Sequence, residues 1–98
     1  MIQWVHRFEH LIGAEVGTRQ VANVYTSPNL RGSWDAWIVF FPVGGGDPIS
    51  TDRETTQPNL QAVAYWASGL SPIYLEGALR RALALTPDAL LARRAALA

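Results

Sequence analysis

Hydrophobic and polar residues alternate with a period of two along the first half of the chain, a pattern typical of β-strands. Proline, asparagine and glycine are concentrated at residues 27–33 and 44–48, where they supply the backbone conformations of tight turns. The pattern predicts strands at residues 2–9, 19–26, 34–43 and 49–55. The fourth of these segments is the most polar, which favours a place at the edge of a sheet.

The pattern changes near residue 58, where alanine and leucine replace valine and the apolar positions recur at helical spacing. Proline in a first turn marks three predicted helix starts, at Pro58, Pro72 and Pro87. We expect Thr56 or Gln57 to cap the first helix. The sequence thus predicts a strand-rich half over 1–57, two core helices over 58–85, and an accessory or frayed helix over 86–98.

These elements predict a single domain over residues 1–98. Short connections favour antiparallel neighbours, so we expect an α+β fold with a four-stranded antiparallel β-meander, followed by two to three helices packed on one face of the sheet. A chain of 98 residues buries roughly two-thirds of the surface that its unfolded form exposes. The hydrophobic core is therefore adequate but thin.

The third predicted strand is hydrophobic on both of its faces. One side carries Trp34, Ala36, Ile38 and Phe40. The other side carries Asp35, Trp37, Val39 and Phe41. Helices can cover only one face, and leaving three large apolar side chains in water would forgo roughly 1.5–3 kcal/mol each. We therefore expect the face of Trp37, Val39 and Phe41 to be an interface or a binding surface.

Four kinds of cover could bury this face. We favour a second copy of the chain, because closed two-fold dimers are the commonest oligomers. The loop at residues 10–18 and the last helix could instead fold over it. A small apolar ligand and the bases of a single-stranded nucleic acid are the other two possibilities. The formal net charge of zero makes nucleic acid the least favoured of the four, because such surfaces carry a basic groove.

A dense polar run at residues 53–57 is the best candidate for a polar binding site, because it combines a guanidinium, two hydroxyls and a helix start. The candidate site comprises Arg53, Glu54, Thr55, Thr56, Tyr74 and Glu76. Asp35 is a second candidate: if it is buried, its pKa rises and the carboxyl can act as a general acid or base. A small-ligand or anion-binding protein or an enzyme that uses these groups is the alternative to a non-catalytic interaction protein.

Other chemistry has little support in the sequence. The chain has no cysteine, which excludes disulfides and thiolate nucleophiles. His6 and His10 are four residues apart and would share one side of an extended strand, but His10 follows the end of the first predicted strand. Two imidazoles alone do not make a zinc site, so we expect neither a metal nor a cofactor. The chain shows neither a signal-peptide pattern nor an apolar stretch that could span a bilayer, and we expect a cytoplasmic protein.

Two blocks of the sequence, Arg53-Glu-Thr-Thr-Gln57 and Tyr74-Leu-Glu-Gly-Ala-Leu79, resemble those of a family of short, uncharacterised bacterial proteins. The resemblance extends over residues 20–83. The family has no assigned activity, so the resemblance implies no particular chemistry. It implies only that the polar positions in the two blocks are of interest, namely Arg53, Glu54, Thr55, Thr56, Gln57, Tyr74 and Glu76.

Overall fold

The computed structural model describes the backbone of residues 1–97 and the side chains of residues 1–15 and 17–84. The strands are β1 (Gln3–Arg7), β2 (Gln20–Pro28), β3 (Trp34–Pro42), β4 (Ile49–Ser50) and β5 (Thr55–Gln57). Two helices follow, α1 (Leu60–Ser68) and α2 (Pro72–Leu97). A short 3-10 helix, Ala14–Val16, lies between β1 and β2.

All five strands belong to one antiparallel sheet. β1, β2 and β3 are neighbours in chain order, and β4 and β5 both pair with the remaining side of β3. The central ladder is the longest, because β2 and β3 pair from Gln20 and Pro42 at one end to Pro28 and Trp34 at the other. The predicted α+β class and the antiparallel meander are therefore confirmed.

The edge of the sheet differs from the single strand predicted over residues 49–55, because it is split into β4 and β5. The chain leaves the sheet between them at residues 52–53, which are exposed. Thr51 keeps the ladder intact at this point, since its N–H donates to the carbonyl of Ile38 at 2.9 Å. A polar edge segment can leave a sheet in this way because water satisfies its backbone groups.

Both helices pack on one face of the sheet. The strands contribute to the core Ala22, Val24, Ala36, Ile38 and Phe40. The helices contribute Val63, Ala67, Leu75, Ala78 and Leu79. The even-numbered residues of β3 therefore face the helices, as the period of two predicts. The other side of the sheet, which carries the odd-numbered residues of β3, is called the open face.

The start of α1 lies later than predicted. Asn59 caps the helix in place of Thr56 or Gln57, and its Oδ1 accepts a hydrogen bond from the N–H of Ala62 at 2.8 Å. Thr56 and Gln57 belong to β5 instead, because a residue that precedes a proline favours extended backbone. Gly69 lies at the end of α1, as expected.

The second helix begins as predicted, with the hydroxyl of Ser71 accepting the N–H of Tyr74 at 3.1 Å and Pro72 in the first turn. The prediction of a separate helix over residues 86–98 is wrong, because α2 continues as one helix to Leu97. Alanine, leucine and arginine surround Pro87, and their strong helix propensity outweighs the start signal. The packing of the side chains of this last segment lies outside the described residues.

The connection between β1 and β2, residues 8–19, is held against α2. Ile12 is fully buried in the core, and the N–H of Gly13 donates to the carboxylate of Glu76 at 2.8 Å. Gly13 has a φ of 97°, and a Cβ at this position would lie 2.6 Å from the carbonyl oxygen of Thr18. The loop considered above as a cover for the open face therefore packs on the helix side of the sheet.

A β-bulge in β1 changes which of its side chains share a face. Trp4 pairs with Tyr25, whereas His6 pairs with Val24, so Val5 is the extra residue of the bulge. Strict alternation predicts that Trp4 and His6 lie on the same side of the strand. The bulge instead places Trp4 on the open face and His6 opposite a core residue.

Candidate functional site

Three aromatic residues form a row across the open face. Trp4 on β1 pairs with Tyr25 on β2, and Tyr25 pairs with Trp37 on β3. Neighbouring strands lie about 4.8 Å apart, so the three residues span roughly 10 Å. Trp4, Tyr25 and Trp37 are called the aromatic row.

Apolar residues continue from the aromatic row along β2 and β3. Val39 lies one step beyond Trp37 on the same face, and at the next step Phe41 pairs with Val21. Trp37, Val39 and Phe41 are each partly exposed. Trp4 on the edge strand has 59% of its surface exposed.

Polar groups border the aromatic row on both sides. The Oδ1 atom of Asn23 accepts a hydrogen bond from the indole N–H of Trp4 at 2.9 Å, which holds that ring over the open face. Arg7 pairs with Asn23 and is exposed. On the far side of the row, Asp35 pairs with Thr56. The residues that pair across this face thus include one cation and one carboxylate.

The described part of the molecule is two layers thick. Its extents are 36 × 34 × 19 Å, and the shortest fits one sheet with one layer of helices. The helix side chains that build the core, among those described, all pack on the other side of the sheet. The open face is therefore a contiguous apolar surface with a polar border, the kind of surface that marks interaction sites.

Asp35 does not meet the condition under which its pKa would rise. Its Oδ1 accepts hydrogen bonds from the amide of Asn29 at 3.1 Å and from the hydroxyl of Thr56 at 2.9 Å. These two hydrogen bonds, the one from Asn29 foremost, lower the pKa of Asp35 below its ordinary value of 3.8. Desolvation opposes them to a lesser extent, and the charge of Arg53, which is the smallest of the four effects, lowers the pKa further. Asp35 is therefore an ionised carboxylate at neutral pH.

Glu54 is the centre of a separate polar cluster between the sheet edge and α2. Its Oε1 accepts hydrogen bonds from the hydroxyl of Tyr74 at 2.6 Å and from the guanidinium of Arg81 at 2.5 Å. The Arg81 guanidinium also lies 5.7 Å from the centre of the Tyr74 ring. Burial, and then the hydrogen bond with Glu54, raise the pKa of Tyr74, so its hydroxyl stays protonated. These contacts fasten α2 to the sheet edge.

The residues predicted as one polar site are divided among several places. Thr56 contacts the open face, whereas the hydroxyl of Thr55 accepts the amide of Gln57 at 2.8 Å. Arg53 lies in the exposed segment between β4 and β5. Glu76 accepts a hydrogen bond from the N–H of Gly13, in the loop before β2, and forms no described hydrogen bond with Glu54 or Tyr74. Of the predicted set, Glu54 and Tyr74 alone are joined by a described side-chain hydrogen bond.

Sequence reasoning named Trp37, Val39 and Phe41 and missed the other two members of the aromatic row. Alternation along β2 was sufficient to place Tyr25 on one face with Val21, but only the strand register aligns it with Trp37. The β1 bulge concealed Trp4, because nothing in the local sequence marks the extra residue. The sequence signal that points to the row is the presence of an aromatic residue on each of three consecutive predicted strands.

Two open depressions adjoin these groups. One, of about 670 Å³, lies along β1 and is lined by Trp4, His6, Arg7, Glu9 and Asn23. The other, of about 510 Å³, lies between β5 and α1 and is lined by Gln57, Asn59, Gln61, Ala62, Tyr65 and Trp66. The first depression extends the aromatic row to the edge of the sheet.

The two histidines take different places. The ring of His6 packs edge-on against Phe8 with centroids 4.6 Å apart, and His10 is exposed. Among the residues that the structure describes, no group of three or more histidine, cysteine, aspartate or glutamate side chains could hold a metal ion. No helix within the described part of the chain is both long enough and apolar enough to cross a membrane.

Comparison with known proteins identifies no protein to which this chain is similar. No protein-family model matches the chain, and no curated protein or solved structure matches it either. The resemblance of the blocks at residues 53–57 and 74–79 to short bacterial proteins therefore stays a prediction. The function of the protein is inferred from the geometry and the charges of the open face.

Proposed function

We propose that this protein is a small, non-catalytic interaction protein that forms a homodimer through its open face. The observation that supports this most strongly is the aromatic row, which continues into Val39 and Phe41 on the side of the sheet that the described helix side chains do not cover. Facing sheets pack about 10 Å apart with interdigitated side chains. A second copy would give this face the cover that the helices give the other.

The size of the open face suits a modest dimer. The two central strands have nine residues each and extend about 30 Å, and four neighbouring strands span about 14 Å between their axes. Two such faces laid fully over each other would bury at most on the order of 1,000 Å², which is near the lower bound for a specific interface, and a crossed arrangement buries less. We therefore expect a dimer with a dissociation constant in the micromolar range rather than an obligate one.

The charge pattern favours a second copy over nucleic acid. The residues that pair across the face offer Arg7 and Asp35, with opposite charges, and the whole chain has no net charge. A protein that tracks a phosphate backbone neutralises several phosphates with lysine or arginine. Single-stranded nucleic acid is nevertheless the second candidate, because the aromatic row offers three rings for the stacking of bases.

An enzyme or a small-ligand binder has less support. Glu54, Tyr74 and Arg81 satisfy one another's hydrogen bonds, and Asp35 is held by Thr56 and a neighbouring amide. The Tyr74 hydroxyl and the Oε1 atom of Glu54 would each have to give up a partner before they could bind a ligand. A buried polar group that loses its partner is costly, which opposes such an exchange.

The molecular mass in solution tests the proposal. Light scattering coupled to size exclusion at about 50 μM should give twice the 10.8 kDa of one chain if the dissociation constant is micromolar. Trp37→Glu should return the mass to that of one chain, because it buries a charge in the interface. Tyr65→Glu is the matched control, since Tyr65 is 84% exposed on α1, and it should leave the dimer intact.

Two results would contradict the homodimer. The first is a single-chain mass for the unmodified protein under these conditions. The second is a mass that Trp37→Glu leaves unchanged, which would place the contact elsewhere. Retention of a labelled single-stranded oligonucleotide at low salt, lost in the same variant, would favour the second candidate instead.

A further inference from the structure

We propose that Arg7 of each copy forms an ion pair with Asp35 of the other copy across the dimer. The pairing rests on the proposed homodimer and specifies how its two open faces are oriented. Arg7 and Asp35 are the two charged residues among those that pair across this face. Their positions relative to Tyr25 determine the geometry.

Tyr25 lies midway between the two charged residues. Arg7 on β1 pairs with Asn23, two residues before Tyr25 on β2. Asp35 on β3 pairs with Ser27, two residues after Tyr25. Arg7 and Asp35 are thus diagonal neighbours of Tyr25 on opposite sides, with their Cα atoms roughly 16 Å apart, so they are too distant to pair within one copy.

A two-fold axis can bring the charges together between copies. When two sheets face each other, a two-fold axis can lie in the plane between them. If this axis perpendicularly bisects the line that joins two positions, each position lies opposite the other position of the second copy. An axis through Tyr25, perpendicular to the line that joins Arg7 to Asp35, places each arginine opposite the carboxylate of the other copy. Tyr25 then packs against its own equivalent, and the strands cross at roughly 70°, closer to orthogonal than to aligned sheet packing.

The aligned packings leave the same charges without partners. An axis along β2 would place Arg7 over Val39 of the second copy, and an axis along the aromatic row would place it over Ile2. A charge buried against an apolar side chain keeps its full desolvation penalty. The charge pattern therefore selects the crossed arrangement, in which both ion pairs form.

Both groups are available for such a contact. Arg7 is exposed and forms no ion pair with any side chain that the structure describes. Asp35 uses one oxygen, Oδ1, to accept the hydrogen bonds from Asn29 and Thr56. Within the described residues its Oδ2 atom accepts no hydrogen bond, and it can accept the guanidinium of the second copy.

A charge-reversal cycle on the full chain tests the pairing, with the dimer Kd measured by sedimentation equilibrium. Arg7→Glu and Asp35→Arg each place like charges together at two symmetric contacts, so each should raise the Kd at least about tenfold. The double variant restores opposite charges, and its Kd should lie within about threefold of the unmodified protein. Arg80→Glu reverses an exposed charge on the helix layer, where it breaks an exposed ion pair with Glu15, and it should leave the Kd unchanged.

Asp35→Arg also removes the two hydrogen bonds that Asp35 accepts from Asn29 and Thr56, so its effect on the Kd is not that of the ion pair alone. The salt dependence of the Kd is a second readout that needs no variant. The Kd of the unmodified dimer should rise with sodium chloride, since screening weakens the ion pairs and the zero net charge leaves no overall repulsion to offset this. A dimer whose Kd responds neither to Arg7→Glu nor to salt overturns the ion pair and leaves the homodimer in place. A single-chain mass for the unmodified protein overturns the homodimer itself.

Discussion

The hydroxyl of Thr51 accepts a hydrogen bond from the backbone N–H of Ile38 at 3.1 Å. It also donates to the carbonyl of Asp52 at 2.7 Å. Ile38 lies in the middle of β3 and is fully buried, so its N–H would otherwise face the place where the chain leaves the sheet. One side chain therefore closes the ladder between β4 and β5.

Thr51→Val should destabilise the fold by about 1–3 kcal/mol, because it keeps the shape of the side chain and leaves the Ile38 N–H without a partner. The free energy of unfolding, measured by urea denaturation, checks this value. Thr51→Ser keeps the hydroxyl and is the matched control, so its loss should be clearly smaller. Equal losses in the two variants would mean that the methyl group, rather than the hydrogen bond, stabilises this edge.

Gly13 and Gly17 form a natural pair for separating backbone strain from a steric clash. Their φ angles are 97° and 98°, but a Cβ on Gly17 meets no atom within 4 Å, whereas one on Gly13 meets the Thr18 carbonyl oxygen. Gly17→Ala should therefore cost about 1–2 kcal/mol from the left-handed backbone alone. Gly13→Ala should cost about 1–3 kcal/mol more, because the loop has to shift.

Thermal or urea unfolding of the two glycine variants measures the difference. Gly13 also donates its N–H to Glu76, so a displaced loop loses that hydrogen bond as well. If the two alanine variants were equally stable, the steric clash at Gly13 would contribute nothing to the loss in the free energy of unfolding.

The hydroxyl of Tyr74 is expected to stabilise the attachment of α2 to the sheet edge. Tyr74→Phe removes one hydrogen bond to Glu54 and leaves the contact with Arg81, so we expect a loss of about 0.5–1.5 kcal/mol in the free energy of unfolding. Tyr65→Phe removes a hydroxyl from an exposed ring and should change nothing measurable. The prediction fails if both variants unfold at the same urea concentration as the unmodified protein.

The pKa of Asp35 should respond to its neighbour on β5. Thr56→Val removes one of the two hydrogen bonds that lower this pKa, so the value should move up toward 3.8. Titration followed by NMR at the carboxyl carbon measures it. Thr55→Val removes the adjacent hydroxyl, which bonds Gln57 and not Asp35, and should leave the pKa where it was.

The same depressed pKa has a consequence for stability against acid. The folded pKa of Asp35 lies below its unfolded value, so its contribution is fully present above pH 3.8 and is lost as the pH falls through the folded pKa. The effect of Asp35→Asn on the pH dependence of the free energy of unfolding should therefore be smaller in the Thr56→Val background than in the unmodified protein. An acid titration of the folded fraction that is identical with and without the Thr56 hydroxyl would contradict this coupling.

The sequence by itself determined the features that depend on near neighbours along the chain. Alternation along β3 separated Ile38 and Phe40, which face the core, from Trp37 and Phe41, which face outward. Ser71 before Pro72 located the start of α2. Side-chain alternation and helix capping operate within a few residues, so a local pattern is sufficient to predict them.

Only the tertiary structure decided which distant residues meet. The bulge in β1 and the register of three strands align Trp4 with Tyr25 and Trp37, and no local pattern encodes that alignment. The contact between Glu54 and Tyr74 likewise depends on how α2 crosses the sheet edge. Register and packing follow from burying the whole core at once, which is why the alternation along β3 predicts the face of Trp37 but not the aromatic row that crosses three strands.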